Sequence, residues 1–100
     1  MRLAALVLLV SAALAESPVL VRAIRFVDFK KVSVSEILDR LKEREVRLEI
    51  EKPYRPEDAE EARHYIAQLL EEKGRHDPHI DIVTRAVAPS GVVVEFRLTK

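Results

Sequence analysis

The stretch "HDPH", residues 76–79, is the part of this chain closest to a metal-binding pattern, with His76 and His79 three apart and Asp77 as a third donor. Imidazole nitrogens and a carboxylate are ligands that suit zinc. Pro78 stands between the rings, however, and the run lies between two periodic segments, so its plain reading is a solvated loop. Ser33, Ser35 and Ser90 offer hydroxyls, but a serine nucleophile needs a base held beside it and a third group to orient that base. No nucleophile-elbow pattern surrounds any of them. Ser33 is explained by helix capping, Ser35 by an exposed helix position and Ser90 by a turn. His64 follows Glu60 by one helical turn, the spacing of a surface pair. Gly74 and Gly91 are the only glycines, too few for a phosphate-cradling loop. The residues therefore point to no enzyme, no metal and no cofactor.

Charge excludes further classes. The 100 residues carry 17 Lys+Arg against 17 Asp+Glu. Lys30, Lys31, Arg40, Lys42, Arg44 and Arg47 lend one end some basic character, but interleaved acids dilute it. No strong field directs the chain to nucleic acid or to an acidic membrane.

The opening, "MRLAALVLLVSAALA", differs from everything after it. Arg2 supplies a positive start, Leu3 to Leu14 an apolar run, and Ala13-Leu14-Ala15 a small-residue cleavage pattern. The run is shorter than the roughly 20 apolar residues that span a bilayer. Residues 1–15 read as a signal peptide cut after Ala15, and 16–100 as a single exported domain. With no cysteine, lipid attachment at the cleavage site is excluded, and the disulfides on which small secreted domains often rely are absent. An exported, cysteine-free domain suits a periplasm. A domain of this size buries only about 60–65% of its surface, so capping and sheet packing must hold it.

"PVLVRAIRFVDF", 18–29, alternates as a strand, with Arg22, Ile24 and Phe26 on one face and Arg25 on the other. "SVSE", 33–36, is a capping box in which Ser33 accepts from the Glu36 backbone and the Glu36 carboxylate reaches back. Val32 staples against Ile37. Val34, Ile37, Leu38 and Leu41 form the expected buried stripe of a helix running to about Arg44. "VRLEI", 46–50, reads as either a short strand or an extended connector. A second helix opens with Pro56 at its first position and acids in its first turn. Ala59, Ala62, Ile66, Leu69 and Leu70 make its apolar face, Tyr65 lies at the margin, and Gly74 ends it. "HIDIVTRAV" and "VVVEFRL" alternate on either side of the turn "APSG" and form an antiparallel hairpin. Val94, Phe96 and Leu98 point inward, Glu95 and Arg97 outward. The order strand–helix–helix–strand–strand, with one apolar sheet face, predicts a two-layer α+β domain.

Over residues 21–98 the chain resembles a POTRA (polypeptide-transport-associated) domain. The likeness is carried by "VRAIRFVDFKKVSVSEIL", by "PYRPEDAEEARHYIAQLLEEKG" and by "DIVTRAVAPSGVVVEFRL". It implies a β-α-α-β-β arrangement with a three-stranded mixed sheet covered by two antiparallel helices. The family usually places a glycine, often followed by asparagine, after its first strand. Asp28 and Phe29 stand there instead, and aspartate tolerates left-handed backbone better than most residues. Where the family reads Gly-Tyr, this chain reads Gly74-Arg75. The family usually carries several such domains ahead of an outer-membrane barrel, for which 16–100 holds no strands. The chain is therefore expected to be a free-standing module or a truncated relative of a barrel-assembly protein.

What the resemblance implies about function is strand addition. The first strand of the closing hairpin would lie at a sheet edge and bind extended segments through its backbone. Its residues are His79, Ile80, Asp81, Ile82, Val83, Thr84 and Arg85. Asp81, Val83 and Arg85 would face away from the helices, with Ile80 and Ile82 beneath them. Asp81 and Arg85 also suit the bland role of charges that guard an edge against aggregation. The expected partners are unfolded outer-membrane polypeptides or barrel-assembly proteins, in the periplasm and in association with the outer membrane. The alternative readings are a small periplasmic domain binding a ligand or lipid headgroup, and a fragment of a larger assembly protein.

Overall fold

The computed structural model describes residues 18–99; the signal-peptide reading of 1–15 lies outside them. The order is β1 (Leu20–Val27), α1 (Val34–Glu43), α2 (Pro56–Glu72), β2 (Ile80–Val87) and β3 (Gly91–Leu98). The architecture is α+β, a mixed three-stranded sheet with two helices. β3 is central, parallel to β1 and antiparallel to β2. No helix among the described residues is long and apolar enough to cross a membrane.

The core follows from the alternation of β3. Val92, Val94, Phe96 and Leu98 are buried against Ile37, Leu41, Ile66 and Leu70 of the helices. Phe26 stacks on Phe96 with ring centroids 5.7 Å apart, and Phe29 meets Phe26 edge-on at 6.0 Å. The turn between β1 and α1 needs no glycine because Asp28 takes the left-handed conformation, at φ +69°. Phe29 then folds back as an apolar cover.

Both helices begin and end on local signals. At α1 the Glu36 N–H donates to Ser33 Oγ at 3.1 Å, and the Ser33 N–H donates to Glu36 Oε1 at 3.3 Å. Val32 and Ile37 are both buried, as an N-terminal staple requires. At the end of α2, Gly74 has φ +93°. The Arg75 N–H donates to the Leu70 carbonyl and the Gly74 N–H to that of Glu71, each at 3.0 Å, the paired bonds of a Schellman motif.

Opposite charges fix the helix pair. Glu36, in the first turn of α1, meets Lys73 at the end of α2 at 2.7 Å; Arg40 meets Glu72; Arg44 lies over the Tyr65 ring. This progression runs α1 against α2.

Three sequence expectations are corrected here. Arg22 does not share the face of Ile24 and Phe26, because β1 is irregular between Val21 and Ala23. The extra residue lets Val21 occupy the core position, fully buried, while Arg22 lies against Gly91. Val34 and Leu38 are not buried: they are 51% and 45% exposed. Of the α1 stripe only Ile37 and Leu41 are buried, and they share the core with the apolar face of α2. His64 pairs with Gln68 at 3.3 Å rather than with Glu60, which Arg63 engages. Residues 46–50 form the connector, not a strand; Val46 and Leu48 are its buried anchors.

Candidate functional site

β2 lies at one edge of the sheet. Its inner side pairs with β3 from Ile80↔Leu98 to Val87↔Gly91, and no strand pairs with its outer side among the described residues. An outer edge of this kind offers a row of free backbone donors and acceptors. The residues singled out in the sequence fall along it. His79 precedes the strand, and its carbonyl accepts from the Thr99 N–H at 2.8 Å and from Thr99 Oγ1 at 3.2 Å. Ile80 is buried and Ile82 half-buried on the helix side. Thr84 shares their side but is exposed, beyond the cover of α2. Asp81, Val83 and Arg85 take the other face, opposite Arg97, Glu95 and Val93. The strand continues through Ala86 and Val87.

The centre of that open face holds Glu95, whose burial its outward position did not foretell. It is 7% exposed because it sits on the middle strand, flanked in register by Arg25 and Val83. Its charge is met by Arg97 at 2.7 Å, as a buried carboxylate requires. Arg25, Arg85 and Val93 border a small hollow of about 140 Å³ beside it.

The second edge, along β1, was not singled out in the sequence. Its first half is already paired. The Tyr54 N–H donates to the Val19 carbonyl and the Glu51 N–H to that of Val21, both at 2.7 Å. The Val21 N–H donates in turn to Lys52 at 2.9 Å, and Leu20 bridges Pro53 antiparallel. From Ala23 to Val27 nothing among the described residues pairs with the outer side of β1. A groove of about 500 Å³ runs alongside, lined by Ile24 and Phe26 of β1, Val34 and Leu38 of α1, and Ile50 of the connector. The only signal for it in the sequence is that the apolar stripe of α1 is wider than one packed face needs.

Two of the serines weighed for catalysis are engaged in the fold. Ser33 caps α1, and Ser90 occupies the hairpin turn, where its carbonyl accepts from the Leu20 N–H at 3.0 Å. The His79 ring lies 3.3 Å from the Asp77 carboxylate, and no three His, Asp or Glu side chains among the described residues come together as a metal site. The fold shifts ionisation elsewhere. The Lys73 ammonium, hydrogen-bonded to Glu36, lowers that carboxyl's pKa. The Arg40–Glu72 hydrogen bonds lower the pKa of Glu72 and raise that of Arg40. Burial, aided by Glu60 and Glu57, raises that of Tyr54.

Searches against protein-family models, curated proteins and solved structures find no match to this chain.

Proposed function

We propose that the chain is a non-enzymatic, POTRA-like periplasmic module that binds extended polypeptide segments, or assembly partners, in outer-membrane protein assembly or transport. The observation that carries this reading is β2: eight residues long, at a sheet edge, and unpaired on its outer side among the described residues. Backbone pairing supplies affinity with little dependence on sequence, which suits a handler of many unfolded clients, and alternate side chains add limited selectivity. Asp81, Val83 and Arg85 would line one side of an added strand, Ile82 and Thr84 the other. The element order and the capping box of α1 support the family resemblance, and the serines engaged in a cap and a turn support a binding rather than a catalytic role.

The test is an NMR titration of the isotope-labelled protein with peptides taken from outer-membrane β-strands. Amide shifts along Ile80–Val87 are expected. A titration that leaves these amides unmoved would remove strand addition at β2 from the reading.

A further inference from the structure

We infer that the outer edge of β1 between Ala23 and Val27, with its adjoining groove, accepts a second kind of segment: an extended strand with an acidic residue between two apolar ones. This site is distinct from the β2 edge and stands on its own observations.

The edge dictates an extended occupant. Five consecutive residues have no partner on their outer side among the described residues, and only another strand satisfies such a row of backbone groups. The chain itself uses the same edge in this way. Residues 51–54 run antiparallel along Val19–Val21 through three backbone bonds, and an incoming strand would continue that pairing where it stops. The turn at Ile50–Glu51 limits the incoming segment to roughly 17 Å, about five residues at strand rise.

The side chains dictate its composition. Ile24 and Phe26 face the groove, where Val34, Leu38 and Ile50 are three of the four large apolar side chains left exposed among the described residues. Residues of the incoming strand opposite Ile24 and Phe26 would therefore be apolar. Arg25, between them, points to the other face and is exposed. It has no ion pair among the described residues, since Arg97 takes Glu95. Opposite charges directly across an antiparallel pair stabilise it, and like charges destabilise it. An acid opposite Arg25 completes the pattern. The same argument disfavours a second copy of this chain as occupant: antiparallel self-pairing centred on the five open residues sets Arg25 against Arg25.

The test uses two capped peptides, threonine-flanked, with valine–glutamate–valine or valine–lysine–valine at the centre, titrated into the labelled protein. The glutamate peptide is expected to shift the Ala23–Val27 amides and the Leu38 and Ile50 methyls, and to bind roughly five-fold more tightly than the lysine peptide. Arg25→Glu, an exposed change, is expected to invert that preference, and Leu38→Asp to weaken both peptides. Equal affinity for the two peptides, or an Arg25→Glu variant that keeps the original preference, overturns the inference. So does self-association of the protein through Ala23–Val27 in the absence of peptide. Shifts confined to Ile80–Val87 also overturn it while leaving the β2 reading in place.

Discussion

The Arg40 guanidinium holds both carboxylate oxygens of Glu72, at 2.8 and 2.7 Å, across the gap between α1 and α2. With Glu36–Lys73 one turn away it makes a two-point clamp between the helices. The geometry is a planar fork meeting a planar acceptor, which fixes direction as well as distance.

The clamp predicts an acid-sensitive helix pair. The folded state lowers the pKa of Glu72, chiefly through the Arg40 hydrogen bonds, and that of Glu36, chiefly through Lys73. A carboxyl with a lowered folded pKa contributes stability above its unfolded pKa and loses it as the pH falls through the folded one. Arg40 stays charged throughout. Stability is therefore expected to fall as the pH drops below the ordinary carboxyl value of 4.5. Glu72→Gln should be less stable than the parent at neutral pH, with a gap that narrows in acid. Urea midpoints at a series of pH values measure this, and a gap independent of pH would contradict it.

Neighbouring residues of α1 should behave in opposite ways. Ile37 is fully buried in the core, whereas Leu38 is close to half exposed over the groove. Ile37→Ala leaves a cavity and is expected to cost about 2–5 kcal/mol, a large share of the roughly 5–15 kcal/mol that holds a domain together. Leu38→Ala should cost about 1 kcal/mol or less, since much of that side chain is already in water. Denaturant midpoints with unchanged slopes provide the comparison; equal losses would place Leu38 in the core after all.

This pair also marks how far the sequence was legible. Signals confined to a few consecutive residues were readable: the Ser33–Glu36 box, Pro56 at the start of α2, Gly74 past its end, and the alternation of the hairpin. The five apolar positions of α2 are all buried, because a long helix on a sheet has one face to cover. What could not be read depends on partners distant in the chain. The irregularity of β1 arises where Arg22 reaches Glu51, 29 positions away, and the Pro89 carbonyl, 67 away. The apolar stripe of α1 does not say which half of it α2 will leave open. For the same reason the strand β2 was legible from its alternation, and its edge position only from the family resemblance, whereas the groove beside β1 was not legible, since three separate elements build it.

The contact between Arg22 and Gly91 predicts a coupled pair of mutations. Arg22 donates to Glu51 Oε1 at 2.8 Å and to the Pro89 carbonyl at 3.0 Å, and its aliphatic stem lies where a side chain on residue 91 would begin. A Cβ at Gly91 would run into Arg22 Cγ and Nε. Gly91→Ala should therefore displace Arg22 from both partners and cost about 1–3 kcal/mol, the range of overpacking. In an Arg22→Ala background the same change should cost much less. A double-mutant cycle with no coupling would mean that the stem of Arg22 moves aside freely.

The last prediction concerns how the chain lives with an open edge. β2 has eight residues without a neighbouring strand on the outer side among the described residues, a length at which unprotected edges pair with one another. Two of its residues, Asp81 and Arg85, carry exposed charges on the open face. In an antiparallel pairing of two β2 edges centred on Val83, Asp81 of one copy would meet Arg85 of the other, so these charges do not oppose every register. They oppose a shift of two residues, which sets Asp81 or Arg85 against Val83 and strands a charge on an apolar neighbour, and a shift of four, which sets Asp81 against Asp81 or Arg85 against Arg85. Replacing both by threonine keeps the strand propensity and removes that discrimination. The Asp81→Thr/Arg85→Thr variant is expected to fold with an unchanged denaturation midpoint, and to self-associate at concentrations where the parent remains a monomer. Sedimentation velocity over a concentration series separates the outcomes: a variant as monomeric as its parent would show that the edge is guarded by something other than its charges.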